Sequence, residues 1–107
     1  MNQQRQQYRI PIERTGHLTR RGVVKECHVS DLTEQGFQVQ ADLPLVTGEV
    51  VRLACALDGH IEIECAIAVT HARPPVFGSR IVDISPEHHE RLSRFIENLI
   101  MLNMTGL

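Results

Sequence analysis

The 107-residue sequence predicts an all-β fold in which six antiparallel strands close into a barrel, with one α-helix at the C-terminal end. Three observations carry that expectation. Between residues 10 and 84 apolar side chains recur with the period of two that half-buried strands require, in short runs separated by turn-forming residues. Asp58-Gly59 sits between two such runs, and a tight hairpin favours this pair because Asp tolerates and Gly freely accepts positive φ. After Ser85-Pro86 the apolar spacing changes from two residues to the three and four of a helix.

In chain order, strands are expected over 10–18, 23–30, 37–41, 50–57, 60–71 and 76–84. Arg20, Arg21 and Gly22 form the first turn, Gly48 marks the turn before the fourth strand, and Pro74-Pro75 breaks the chain before the sixth. The fifth strand is the clearest, because Ile61, Ile63, Cys65, Ile67 and Val69 alternate with Glu62, Glu64, Ala66 and Ala68. Six closely spaced strands with short links favour closure, which removes exposed edges. Ser85 is a good N-cap and Pro86 suits the first helical position, so a helix is expected over 86–102. Its stripe of Leu92, Phe95, Ile96, Leu99 and Leu102 should seal one barrel opening.

Composition narrows the function. Hydrophobic residues form 42% of the chain but only Tyr8, Phe37, Phe77 and Phe95 are aromatic, so the core must be aliphatic. The net charge of -2 argues against a partner that is a nucleic acid polymer, which calls for a basic excess. The longest apolar runs, 53–57 and 65–69, fall far short of the roughly 20 residues a membrane-spanning helix needs, so no membrane insertion is expected. The polar opening residues do not read as a secretory signal, and a cytoplasmic location follows. Cys27, Cys55 and Cys65 are odd in number and lie within apolar patterns, which predicts reduced, buried thiols. Cys27-His28 is the only adjacent Cys-His pair, and strand neighbours point to opposite faces, so no metal site is expected. No nucleophile with a base and no carboxylate pair announces an enzyme.

Two motifs suggest an anion site. Arg5-Gln6-Gln7-Tyr8-Arg9 supplies two guanidinium groups, whose planar forks suit phosphate and the acceptor edge of guanine. Asp31-Leu32-Thr33-Glu34-Gln35-Gly36 supplies a carboxylate, a hydroxyl and a glycine. Read in order, R-x-x-x-R followed by D-x-T-x-x-G resembles the signature of the PilZ domain family, and the strand and helix pattern extends the resemblance over nearly the whole chain. The run Phe77-Gly78-Ser79-Arg80-Ile81-Val82-Asp83-Ile84-Ser85 looks like that family's last barrel strand, with Ile81 where Phe is more usual.

The resemblance implies a single domain over 1–107, with a flexible ligand-binding arm at 1–9, a barrel at 10–84 and a helix at 86–102. It implies a cyclic di-GMP receptor that requires no cofactor, is not an enzyme and signals to an unidentified protein effector. Arg5 and Arg9 would meet phosphates and guanine edges, Asp31 would accept from guanine N–H groups or hold an arginine, and Thr33 would offer its hydroxyl. Gly36 would permit a backbone conformation or a close approach that a side chain would obstruct. Thr33 stands where Ser is more usual, which keeps the hydroxyl but restricts the rotamer. The alternative is a PilZ-like adaptor in motility or pilus assembly that binds no nucleotide. Arg20 and Arg21 read as an exposed turn that could extend the positive surface.

Overall fold

The structure is a computed structural model that describes residues 10–105, so Arg5 and Arg9 lie outside the described residues. Six strands, β1 (Ile10–Arg20), β2 (Val23–Leu32), β3 (Gly36–Gln40), β4 (Val50–Ala56), β5 (Glu62–Arg73) and β6 (Val76–Ile84), precede helix α1 (Pro86–Thr105). They form a closed barrel in the order β1-β2-β3-β6-β5-β4, every neighbouring pair antiparallel. This is the predicted architecture: β1 and β2 run two residues further than expected, β3 starts and ends one residue earlier, β4 ends one residue earlier, β5 is displaced by two residues and β6 has its expected bounds.

Alternation aims the aliphatic set inward. Leu18, Val29, Leu32, Leu53, Ile63, Ile67 and Phe77 are all at most 2% exposed, and each fully buried side chain of this size contributes about 1.5–3 kcal/mol relative to exposure. Ala66 and Ala68 point outward, yet they too are buried. Their register partners on either side include Arg52 and Arg80, beside which a small residue is easily overhung.

The two barrel ends differ. At one, α1 lies across the opening with Leu92, Phe95 and Ile96 buried. Arg14 ties it down: Nε donates to the Leu57 carbonyl at 2.6 Å while the guanidinium lies 5.8 Å from the Phe95 ring centroid. Arg91 donates to the Glu62 carbonyl and the Glu64 N–H donates to His88 Nδ1, fixing the helix start against β5. The expected stripe fails at its last position, since Leu102 is 65% exposed and Ile100 packs toward the core instead. By that turn the helix has passed the barrel mouth.

At the opposite end, residues 41–49 cross beneath the barrel and insert Leu45. Arg21 at φ 53° and Gly22 at φ 81° make the β1–β2 connection a two-residue turn with both central residues left-handed, the geometry that matches strand twist. For Arg21 this conformation costs ~1–2 kcal/mol. The Asp58-Gly59 segment departs from the expected tight turn. Leu57 N–H bonds the Ile61 carbonyl across a longer loop, and Asp58 Oδ1 accepts from the N–H groups of His60 and Ile61. The carboxylate, acting as a local cap, replaces the positive-φ geometry.

All three cysteines are free and buried. Burial pushes the thiols of Cys27 and Cys65 up to about 12 and that of Cys55 up to about 11. The unfolded chain loses these protons first, near pH 9, so folding stability conferred by the neutral thiols is complete below that pH and is lost progressively as pH rises toward 12. Urea unfolding between pH 8 and pH 11 should therefore give a falling free energy, and iodoacetamide at pH 8 should label the thiols no faster than the protein opens. Rapid labelling of folded protein would contradict this core.

Candidate functional site

Two β-bulges create the site. On β2, Cys27 and Val29 face inward, so strict alternation would bury the side chain at position 31. The ladder to β3 instead pairs Val29 with Val39 and Asp31 with Gln38, leaving Ser30 as the extra residue. Alternation shifts by one, Leu32 enters the core and Asp31 turns outward. The same device acts on β5, where Val69 pairs with Ser79 and His71 with Gly78, so Thr70 is extra and His71 turns outward. Registers then align Asp31, Gln38, Gly78 and His71 in one continuous outward row across β2, β3, β6 and β5. The neighbouring row holds Gly36 and Arg80.

Above these rows lies an open cleft of about 330 Å³, walled by Asp31, Gln38, His71 and Arg80 with Thr70 and Ser79 between them, and lipped by the 33–36 loop. The His71 ring covers Gly78: a Cβ added there would come within 2.1 to 2.7 Å of its Cε1, Nδ1 and Nε2. An exposed, flat imidazole over a side-chain-free floor is a surface on which a planar ring can stack. Among the described residues, neither the Asp31 carboxylate nor the Arg80 guanidinium has an ion pair or a hydrogen bond. An acceptor and a planar donor fork thus stand on opposite sides of one opening, a combination suited to a ligand bearing both N–H donors and an anionic group.

The loop is built by Thr33. Its hydroxyl oxygen accepts the N–H groups of Gln35 at 3.1 Å and Gly36 at 3.0 Å and donates to the Gly36 carbonyl at 3.3 Å, while the Thr33 N–H bonds the same carbonyl. A hydroxyl has one proton and two lone pairs, so this one is fully engaged within the loop. Ser would make the same bonds, which is why Thr33 keeps the loop intact. Gly36 is required for packing: a Cβ there would lie 2.0 Å from the Ser79 carbonyl oxygen and 2.9 Å from Arg80 Cα. The loop is also pinned to β6 by the Ile81 N–H, which donates to the Gln35 carbonyl at 2.7 Å.

Of the five residues singled out in the sequence, Asp31, Thr33 and Gly36 therefore meet at one cleft, with Asp31 in its wall and Thr33 and Gly36 shaping its lip. Arg5 and Arg9 lie outside the described residues. His71 and Arg80 were not foreseen. His71 ends the fifth expected strand and Arg80 falls in the run likened to the last barrel strand, neither marked as a site, because nothing in the local sequence announces the Thr70 bulge or the pairing that carries Arg80 alongside Gly36. A second cleft, of about 530 Å³, continues past Arg80 toward the start of α1, between Glu34 and Asp83. Among the described residues no group of three or more His, Cys, Asp or Glu is placed to hold a metal ion, and no helix is long and apolar enough to cross a membrane.

A closed six-stranded barrel with a helix across one end carries this polar cleft on its outer wall. The family model of the PilZ domain matches residues 3–98, and the chain belongs to that family, known for cyclic di-GMP binding and adaptor roles. No curated protein sequence matches the chain.

The two glycines of the cleft separate packing from binding. Gly36→Ala drives a methyl into backbone that has no rotamer to yield, and should cost at least about 1–3 kcal/mol, visible as a lowered melting temperature. Gly78→Ala meets only the His71 side chain, which can swing away, so its melting temperature should stay much closer to that of the parent. Equal losses would show that the His71 ring is locked in place.

Proposed function

We propose that this domain is a cyclic di-GMP receptor whose cleft over β2, β3, β6 and β5 receives one guanine and its adjoining phosphate, and that ligand capture draws the N-terminal segment carrying Arg5 and Arg9 over the same cleft. The observation that carries the reading is the unpartnered pair of Asp31 and Arg80 facing a flat His71 ring across one opening. Asp31 accepts from guanine N–H groups, His71 stacks on the base, and Arg80 joins Arg5 and Arg9 around the phosphate. Thr33 and Gly36 hold the lip of the cleft, so their contribution to affinity is through shape. On this reading binding itself, with the arm ordered on the barrel, is the output offered to a protein effector, and no cofactor is called for.

Ordering a segment costs conformational entropy that the charge-assisted contacts must offset, and a micromolar complex has only about -8 kcal/mol in all. Each charged contact is therefore a large share of the total. Titration calorimetry should give saturable heat with cyclic di-GMP and none with GTP or cyclic di-AMP at equal concentration. Arg9→Ala and Asp31→Ala should each weaken binding tenfold or more, on the expectation that removing one partner of a charge-assisted pair costs roughly 2 kcal/mol or more. Arg80→Ala should weaken binding comparably without lowering thermal stability, because among the described residues the Arg80 side chain has no ion pair or hydrogen bond to lose. Absence of heat with every nucleotide would instead identify a ligand-free adaptor.

A further inference from the structure

The barrel end opposite the helix carries an apolar patch that no element of the described fold covers. Val24 on β2, Val46 in the crossing segment and Val50 on β4 are each at least 56% exposed. They belong to two turns that lie side by side. Thr19 pairs with Val24 on one flank and with Arg52 on the other, which sets Val24, Thr19 and Arg52 in one outward row, and Val50 is the next outward residue on β4. Arg20 Nε bonds Glu49 Oε2 at 2.5 Å and joins the two turns, while Glu49 Oε1 accepts the Val46 N–H. Burial alone would raise the Glu49 carboxyl, but these two donors overcome it and hold it below the usual range.

With Arg20 and Glu49 neutralising each other, the remaining cations of this end are Arg21, Lys25, Arg52 and Arg73, against Glu26 and Asp42. The helix end has the opposite balance, with Asp58, Glu62, Glu64, Glu87, Glu90 and Glu97 against Arg14, Arg91 and Arg94. An apolar centre with a basic rim on an otherwise acidic molecule is the electrostatic complement of an apolar surface ringed by carboxylates.

The patch is also joined to the cleft. Gly48 N–H donates to the Val69 carbonyl at 2.8 Å and Val69 N–H donates to the Glu49 carbonyl at 2.9 Å, so the turn bearing Val46 and Val50 is clamped to the residue immediately before Thr70 and His71. Along the other direction, one outward row runs Gly36, Arg80, Ala68, Val50 across four neighbouring strands, two strand spacings or about 10 Å separating Arg80 from Val50.

We propose that the face formed by Val24, Val46 and Val50 with Arg21 and Arg52 is the docking surface for a protein effector that presents an apolar patch rimmed by Asp and Glu. The choice of effector rests on the receptor reading above, through the joint to the cleft; the docking face itself is tested independently of nucleotide. p-Benzoylphenylalanine is placed at position 24, at position 50 and, as a control on the far end, at position 90, and the protein is photolysed in the cells that make it. One protein should be captured at 24 and at 50 and not at 90. That protein, purified, should bind the parent in a titration that weakens with salt, and Arg52→Glu should reduce its affinity by at least about tenfold while leaving the melting temperature unchanged. Adducts no stronger at 24 and 50 than at 90, adducts to phospholipid alone, or a purified partner that binds Arg52→Glu as tightly as the parent would each overturn the proposal. Calorimetry with cyclic di-GMP on the same preparations separates this outcome from failure of the receptor reading: nucleotide heat with no partner at the patch refutes only the docking face, and the converse refutes only the receptor.

Discussion

Barrel closure fixes the sidedness of every residue in this protein, and the two bulges at Ser30 and Thr70 are where that constraint is used. A closed antiparallel sheet cannot slip its register without moving its whole hydrophobic set to the wrong face, so each inward residue locks the outward direction of its neighbours. Inserting one extra residue on β2 and another on β5 reverses that direction locally while Leu32 and Ala72 resume the inward course. Asp31 and His71 reach the outer wall for this reason alone. Without the bulges their polar groups would enter an interior that contains no buried polar or charged side chain among the described residues.

The cleft floor follows from the same closure. Strands β3 and β6 approach closely at Gly36, and β6 passes beneath the imidazole at Gly78, so two glycines leave room that side chains on adjacent strands would otherwise fill. The space gained at Gly36 is taken by backbone, whereas the space at Gly78 is taken by a ring that can move. A rigid lip beside a movable platform is a useful division for a site that must keep its shape when empty and still adapt to a planar guest.

Much of this fold was legible in the sequence because strand periodicity, aliphatic composition and the Ser85-Pro86 helix start are local signals that agree with one another. The errors fall where a side chain overrides backbone preference or where an element outlasts its support. Asp58 caps two N–H groups and makes a longer loop than Asp-Gly suggests, and Leu102 lies beyond the barrel mouth although its helical phase points it there. At the site, the D-x-T-x-x-G run identified the loop, since its hydrogen bonds span only three residues and depend on residue type. His71 and Arg80 could not be read in the same way. Their place depends on a bulge and on the pairing of β6 with both β3 and β5, which are properties of the assembled sheet and leave no mark in the neighbouring residues.

On the receptor reading proposed above, the domain must convert occupancy into a surface that another molecule can read, and a barrel is poorly suited to large movements because each strand is bonded on both sides. Small displacements along a strand are still available at bulges, where the ladder is already interrupted. β5 has such an interruption at Thr70, bordered by the cleft on one side and, through Val69, by the Gly48–Glu49 turn on the other. On that reading, tightening of His71 on a stacked base would act on β5 beside this interruption, and the turn clamped to Val69 is the nearest element bonded to it. The ion pair between Glu49 and Arg20 then carries any such shift to the β1–β2 hairpin, whose Arg21 is already held in a costly left-handed conformation. A turn that stores strain has less to lose by adjusting than a relaxed one, which makes this end of the barrel, and not the helix end fastened by Arg14 and Arg91, the place where occupancy of the cleft can be felt.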